Sequence, residues 1–234
     1  MMKTRWLHMV MLTALSLAAG SCGLSPKEVR VVLGKHELCI PVENLRSHEL
    51  PAWLKSATGL PPSKAILLIV GAEEVARHVE GYVPYYGDIP DNLLFSVESV
   101  DEKSRRWLLN PEMRVYSDAW YGRGLLDNRV VEPHASGFYK VRQAGIYSFW
   151  DALKIYPDST QPAPTDPHSW FLAGCWGVTT ASTEPGTQVN CLSKFVHEDL
   201  LFHVYLNEES LAVVEDVRAF VLQRVLSWKV ADRV

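Results

Sequence analysis

Short apolar runs separated by turn-forming residues fill most of the chain after residue 28. Residues 29–33 and 38–42 are two such runs, and the Gly-Lys-His-Glu segment between them is typical of a hairpin. The run AILLIV at residues 65–70 is unbroken, which predicts a central strand buried on both faces. The same criteria predict further strands at residues 93–100, 138–141, 146–152, 170–179, 189–195 and 200–206.

Helical spacing is clearest at the end of the chain. Asn207 is a favourable N-cap, and Glu208 and Glu209 suit the positive end of a helix dipole. Apolar residues then recur every three or four positions and form one face of a helix: Leu211, Val214, Val217, Val221, Val225 and Trp228. Shorter helical segments are predicted at residues 50–57 and 73–79. Together these elements predict an α+β fold, a mostly antiparallel sheet with a C-terminal amphipathic helix packed on it.

The first 21 residues have the three parts of a secretory signal. Lys3 and Arg5 give a basic start, residues 7–19 are mostly apolar, and small residues follow. The apolar run is too short to span a bilayer, which takes roughly 20 apolar residues. A buried N-terminal helix is the alternative, which the basic start and the Gly-Leu-Ser-Pro break at 23–26 disfavour. We therefore expect residues 1–21 to be a signal peptide and residues 22–234 to form a single mature periplasmic domain.

The small residues lead directly into a cysteine. Ala19-Gly20-Ser21-Cys22 resembles the lipobox of bacterial lipoproteins, in which a peptidase cuts before the cysteine and its sulfur carries a diacylglycerol. Ala19 stands where that family prefers leucine, so ordinary signal cleavage stays open. The resemblance implies that Cys22 is lipidated and that the lipid, not a transmembrane helix, anchors the domain. Glycine at position 23 favours the outer membrane, by resemblance to the sorting of enteric lipoproteins.

The charge balance is mildly acidic. The full chain has 23 basic and 27 acidic residues, a net charge of −4. Because Lys3 and Arg5 lie in the signal segment, the mature chain is more acidic still. The sequence has no basic stripe, so nucleic acid is not an expected partner, whereas a basic protein is. Residues 156–168 contain four prolines and are predicted to form an exposed loop.

Cysteine positions predict one disulfide. Residues 182–186, Ser-Thr-Glu-Pro-Gly, form the turn of a predicted hairpin, and pairing Cys175 with Cys191 centres its register on residue 183. Opposite residues of a hairpin lie close enough for a bridge, so we predict the disulfide Cys175–Cys191 in an oxidising compartment. Cys39 is then a buried free thiol, or else it is bonded to one of those two. No cysteine or histidine pair has the spacing of a zinc finger.

No catalytic motif is found in the sequence. The serine-nucleophile turn GxSxG and the glycine-rich phosphate loop are both missing. His134 and Ser136 are neighbours, a combination that loops produce by chance. His197 and His203 are six positions apart without an HExxH pattern, so neither a metal nor a cofactor is expected. A hydrolytic pair of carboxylates that are distant in sequence and meet only in the folded protein, as in glycosidases, is an alternative that spacing does not test.

Two segments combine aromatic residues with nearby charged groups. The first is YVPYYGD at residues 82–88, followed by Asp91, and the second is WYGR at residues 120–123. Tyrosine gives a large contact area for little lost entropy, which is typical of protein interfaces. The alternative is that these rings pack onto the sheet. We predict partner contacts at Tyr82, Tyr85, Tyr86, Asp88, Asp91, Trp120 and Tyr121.

The overall layout resembles the periplasmic lipoprotein immunity proteins of type VI secretion systems. The resemblance lies in the lipobox, a mature domain of about 210 residues, the strand LCIPVEN at 38–44 and the closing strand and helix that end in Leu-Ser-Trp at 226–228. Within that family, the layout resembles immunity proteins encoded beside phospholipase effectors. The resemblance implies a membrane-anchored protein that binds and inhibits a toxic lipase in the periplasm, and it implies no catalytic residues.

Two other classes of function stay open. One is a structural or assembly lipoprotein of the cell envelope, and the other is an enzyme with an unrecognised site. The genes next to this one, or activity of the purified protein on lipid or peptidoglycan, would separate them.

Overall fold

Ten strands and four α-helices form the part of the chain that the computed structural model describes, residues 27–46, 65–84, 92–177 and 189–230. The strands are β1 (Glu28–Leu33), β2 (His36–Pro41), β3 (Ala65–Gly71), β4 (Asn92–Ser99), β5 (Arg129–Pro133), β6 (Tyr139–Gln143), β7 (Phe149–Leu153), β8 (Phe171–Gly177), β9 (Val189–His197) and β10 (Leu200–Asn207). The α-helices are α1 (Ala72–His78), α2 (Glu102–Leu108), α3 (Arg114–Tyr121) and α4 (Val214–Ser227).

Eight strands form one antiparallel sheet in the order β3-β4-β10-β9-β8-β7-β6-β5. From β5 to β10 each strand pairs with the next one along the chain, so most of the sheet is a meander. β1 and β2 form a separate hairpin, as predicted, with a tight turn at Gly34 and Lys35. The predicted α+β fold, a mostly antiparallel sheet with a C-terminal helix, is confirmed.

The prediction that residues 65–70 form a central strand is wrong, because β3 is the first strand of the sheet. Leu68 and Val70 face the core, whereas Leu67 and Ile69 on the opposite face are only half-buried. Beyond the outer edge of β3, Leu45 makes an isolated bridge to Leu68. The segment around Leu45 thus covers part of the outer edge of β3. A partly covered edge strand has the same unbroken apolar sequence as a central strand, so the sequence alone does not distinguish the two.

One face of the sheet, which we call the core face, is covered by α4. All six apolar residues of the predicted helix face are buried, with exposures of 7% or less, so the prediction of core packing is confirmed: Leu211, Val214, Val217, Val221, Val225 and Trp228. The α-helix starts later than predicted, because a 3-10 segment, Glu208–Val213, precedes it. Asn207 makes no side-chain cap. Its amide instead donates to the carbonyl of Pro84.

A buried arginine of α4 forms hydrogen bonds to the sheet. Arg218 is 8% exposed, and its guanidinium donates to the Ser193 hydroxyl of β9 at 2.9 Å. It also donates to the carbonyls of His168, Phe171 and Leu172 at 2.8–3.0 Å. Burial lowers the pKa of Arg218 to about 10, so the side chain remains charged at neutral pH. The positive charge is thus stabilised directly by backbone carbonyls and the Ser193 hydroxyl, and at longer range by the charges of Glu215 and Asp166.

The opposite face, which we call the second face, carries a smaller core beneath α3. Tyr116 packs edge-on against Phe171 at a ring-centroid distance of 5.1 Å, and Trp120 packs against Trp170 at 5.0 Å. The proline-rich loop at 156–168 is mostly exposed, as predicted, yet its carbonyls hold this cluster in place. The carbonyl of Gln161 accepts from the Trp120 indole at 2.9 Å, and the carbonyl of Pro164 accepts from the Trp170 indole at 3.2 Å.

Three of the described elements, α2, α3 and β5, were not predicted from the sequence pattern.

The predicted disulfide between Cys175 and Cys191 is present, and the two cysteines lie directly opposite each other in β8 and β9. Both point into the core face. The prediction for Cys39 is wrong in both of its forms, because Cys39 is disulfide-bonded, and Cys175 and Cys191 are bonded to each other. Cys22 lies outside the described residues. Within the described ranges, no helix combines the length and the apolar composition that a membrane span requires.

We expect Arg218→Ala to lower the free energy of unfolding by about 3–5 kcal/mol, because it leaves buried acceptors of two strands without their donor. Urea unfolding followed by tryptophan fluorescence measures the change. Arg77→Ala, at an exposed position of α1, is the matched control and should change stability by less than about 0.5 kcal/mol. Equal stability of the two variants would show that the hydrogen bonds of Arg218 do not stabilise the packing of α4 on the sheet.

Candidate partner-binding surface

Strand β7 sends its side chains alternately to the two faces of the sheet. Trp150 and Ala152 are buried in the core face. Phe149 and Asp151 therefore lie on the second face, since side chains of a strand alternate. Phe149 is 67% exposed, the largest exposure among the large hydrophobic residues of the described part of the chain. At this exposure most of the Phe149 ring lies outside the core and is accessible to other molecules.

Three further apolar residues lie near Phe149, two of them in the β6–β7 turn and one across the sheet. Ile146 is 39% exposed and Tyr147 is 53% exposed, while the half-buried Trp176 of β8 is the cross-strand partner of Phe149. The turn requires a left-handed residue, and Gly145 with φ of 78° supplies it. We call Ile146, Tyr147, Phe149 and Trp176 the aromatic patch.

Charged groups of β5 and β6 hold Tyr147 in place. Val141 belongs to the second-face core, so its neighbour Arg142 points to the core-face side. Tyr147 packs on Arg142 at the sheet end rather than on the second face with Phe149. The Arg142 guanidinium lies 4.4 Å from the centre of the Tyr147 ring, a cation–π geometry. The same guanidinium donates to the Glu132 carboxylate at 2.6 Å. Tyr147 therefore rests on a side chain that is itself anchored, and its ring keeps its position although it is exposed.

An unpaired carboxyl group lies next to the patch. Asp151 of β7 pairs across the sheet with Gly174 of β8, one position along the second face from the Phe149–Trp176 pair. Its other neighbour is Val141 of β6, so the carboxyl lies between an apolar residue and a glycine. Burial, followed by the charge of the neighbouring Asp118 on α3, raises the pKa of Asp151 to about 7. The two carboxyl groups make this part of the surface acidic.

The structure places the predicted contact residues differently. Tyr82 and Trp120 are buried, with exposures of 7% and 4%, so their rings belong to the core and are not available for contact. Tyr121 is half-buried, with Arg123 4.5 Å from its ring centre and its hydroxyl accepting from the Ala163 amide at 3.1 Å. The remaining four lie outside the described residues: Tyr85, Tyr86, Asp88 and Asp91.

The sequence did contain a signal for the aromatic patch. In the segment Phe149-Trp150-Asp151-Ala152, an aspartate shares its face with a phenylalanine, while tryptophan and alanine share the other face. An aspartate marks the face that is not filled by core residues, so a phenylalanine beside it is expected to be accessible. Reading this strand face by face would have identified Phe149.

The histidines of the described residues do not form a catalytic group. The backbone amide of Ser136, and not its hydroxyl, donates to His134 at 3.2 Å. His203 lies on β10 as predicted, and burial together with Lys194 lowers its pKa to about 4. It is therefore neutral at physiological pH.

Three potential metal ligands do converge at one end of the sheet. One ligand atom from each of His36, Glu198 and Asp199 lies within 4.8 Å of the others. Lysine ammonium groups already neutralise both acids, with Lys35 3.2 Å from Asp199 and Lys229 3.2 Å from Glu198. The arrangement is an ion-pair cluster that joins the β1–β2 turn to the β9–β10 turn.

The comparisons with known proteins give one structural likeness. No protein-family model matches the sequence, and no curated protein sequence matches it. Among solved structures, the chain is similar to Smlt3025, an immunity protein of the Stenotrophomonas maltophilia type IV secretion system. The TM-score is 0.47 at 13% sequence identity, and the likeness covers 87% of this chain and 93% of that one. These values do not assign the chain to a family.

We expect Asp151→Asn to stabilise the protein in a pH-dependent way. Because the pKa of Asp151 rises from 3.8 to about 7 on folding, ionising it costs the folded state stability as pH increases through this range. The stability gain of the variant should be small near pH 4, grow toward pH 7 and level off above it. Thermal unfolding at five pH values measures the gain, with the exposed Asp127→Asn as control. A gain that does not depend on pH would contradict the assignment.

Proposed function

We propose that this protein is an exported, membrane-anchored immunity protein that binds and inhibits a secreted toxic effector. The aromatic patch is the observation that carries the proposal. Exposed aromatic residues that cluster on a folded surface mark sites of protein association. The protein is then a binding module, and it inhibits the effector by covering the effector's active surface.

The aromatic patch has the properties of an energetic centre of an interface. Aromatic side chains dominate binding energy where they are well held and can be desolvated. Tyr147 rests on Arg142, and Trp176 follows Cys175, which the disulfide links to β9. Since these side chains are already positioned, binding loses little conformational entropy. Ile146 and Tyr147 of the β6–β7 turn are exposed and accessible to a partner.

The sequence supports a location outside the cytoplasm. Residues 1–21 have the composition of a signal peptide, and the disulfide Cys175–Cys191 is typical of an oxidising compartment. A lipid on Cys22 would hold the domain at the membrane, and glycine at position 23 favours the outer membrane. That the effector is a lipase rests on the resemblance to type VI immunity proteins alone.

The protein should capture a toxin from the bacterium that encodes it. We expect a C-terminally tagged form, incubated with extracts containing secreted proteins, to retain one protein in stoichiometric amount. The purified captured protein should hydrolyse phospholipid and lose this activity as the tagged protein is added to equivalence. Retention of envelope-assembly proteins instead would support a structural lipoprotein. Lipid or peptidoglycan hydrolysis by the tagged protein alone would identify an enzyme and overturn the proposal.

We expect Phe149→Ala and Tyr147→Ala each to weaken binding of the captured protein by more than about 1 kcal/mol, roughly a fivefold or greater rise in Kd. Trp107→Ala is the matched control, because Trp107 is 59% exposed on α2, outside the aromatic patch. Calorimetric titration measures all three variants. If only the Trp107 variant lost affinity, the aromatic patch would not be the binding surface.

Lipidation of Cys22 predicts a specific change in mass and location. Cells fed a labelled fatty acid should incorporate it into the wild-type protein and not into Cys22→Ser, and the variant should leave the membrane fraction. A sulfur that carries a lipid thioether cannot form a disulfide, and with Cys175 and Cys191 bonded to each other, Cys22 is the one remaining cysteine of the sequence with which Cys39 could pair. Lipidation of Cys22 therefore requires Cys39 to be a free thiol in the mature protein. Peptide mapping of the same sample decides between the two states, and a Cys22–Cys39 disulfide would overturn lipidation. An unlabelled wild-type protein would leave ordinary signal cleavage as the mode of export.

A further inference from the structure

We propose that the surface beside the aromatic patch contains a notch that receives a basic side chain, arginine or lysine, of the protein partner. The notch is formed by Asp151, Gly174 and Trp176, with Asp118 nearby. This inference rests on the proposed function for the identity of the partner, and it adds the chemistry by which that partner is recognised.

The sheet register creates the notch. Phe149 and Asp151 of β7 stand opposite Trp176 and Gly174 of β8, so the four residues occupy neighbouring places on the second face. Gly174 has no side chain, which leaves a space beside the Asp151 carboxyl. A Cβ atom built on Gly174 would lie 3.5 Å from Asp151 Oδ1. The half-buried Leu192, opposite Gly174 on β9, closes the other side.

The carboxyl in the notch lacks a cation. Within the described residues, Asp151 has no hydrogen bond and no ion pair, although it remains half-buried. Two other acids are paired: Glu132 of β5 binds Arg142, and Glu208, which follows β10, binds Lys140. Asp118 has only the 75% exposed Arg114, at 3.4 Å. A half-buried carboxylate without a partner costs stability, and a cation brought by another molecule removes this cost.

The surroundings favour a basic side chain over a small ion. The rings of Phe149 and Trp176 border the notch, and aromatic rings attract guanidinium and ammonium groups. Leu192 offers apolar surface to the methylene stem of lysine or arginine. The net charge of −4 on the full chain also favours a basic partner. The carboxylate and the aromatic rings thus suit the cationic end of such a side chain, and Leu192 suits its methylene stem.

The notch can be tested without the partner by using N-acetyl-arginine amide as the probe. We expect it to shift the amide resonance of Gly174 and the indole resonance of Trp176 in NMR spectra, saturating in the millimolar range. The uncharged citrulline analogue should produce no such shifts. Assignment of the indole resonance uses Trp176→Phe. Absence of arginine-dependent shifts, or equal shifts with citrulline, would overturn the proposal.

Two variants separate the charge of the notch from its space. Asp151→Asn keeps the shape and removes the charge, whereas Gly174→Ala keeps the charge and fills the space. Each should abolish the arginine-dependent shifts while the remaining spectrum stays that of the folded protein. Gly71→Ala is the matched control, since an added Cβ there meets no atom within 4 Å. Shifts that persist in both variants would place arginine binding elsewhere.

Measurements on the captured partner distinguish the notch from the proposed function. Asp151→Asn should raise the Kd of the complex at least about tenfold and flatten its dependence on salt concentration, because one charge pair is lost. A captured toxin that both notch variants bind with wild-type affinity would keep the immunity function and overturn the notch. Arginine binding that depends on Asp151, without any captured toxin, would keep the notch and overturn the immunity function.

Discussion

The fold depends on the burial of a single positive charge. Arg218 enters the core from α4 and finds all its acceptors on the sheet and on the loop before β8, so the helix has one register in which the charge is satisfied. Apolar packing alone would tolerate a shift of α4 along the sheet, because valines and leucines contact many alternative neighbours. The guanidinium does not tolerate it, since each displaced hydrogen bond leaves a buried donor unpaired.

This fixed core face leaves the second face free to vary. α3 and the loop at 156–168 cover only one end of it, where Tyr116 and Trp120 pack on Trp170 and Phe171. The rest carries half-buried polar and aromatic side chains, including Asp151 and Trp176. A sheet with one face committed to the core and one exposed to the surroundings is the usual solution for antiparallel strands. The proposed recognition of a partner would then use side chains that the core does not constrain.

Local sequence signals predicted nine of the ten described strands, the Cys175–Cys191 disulfide and the apolar face of α4, because each follows from the spacing of residues close together in the sequence. The Cys175–Cys191 bridge came from the turn between two strands, and α4 came from its apolar period. Properties that depend on distant neighbours were not predicted. An apolar run does not tell a central strand from the edge strand β3, and an aromatic residue does not show whether it is buried, as Trp120 is, or exposed, as Phe149 is. The partner of Cys39 likewise depends on tertiary contacts.

The Cys175–Cys191 disulfide lies on the core face, opposite to the notch, yet in sequence Cys175 stands between two residues of the notch. Cys175 lies between Gly174 and Trp176, so the disulfide holds the backbone of these two notch residues against β9. In a reducing environment the same strands are joined by hydrogen bonds alone and open more readily. For the surface that we propose binds a partner, formation of this bond after export would therefore complete the scaffold. A chain still in the reducing cytoplasm would carry the same side chains on strands that open more readily.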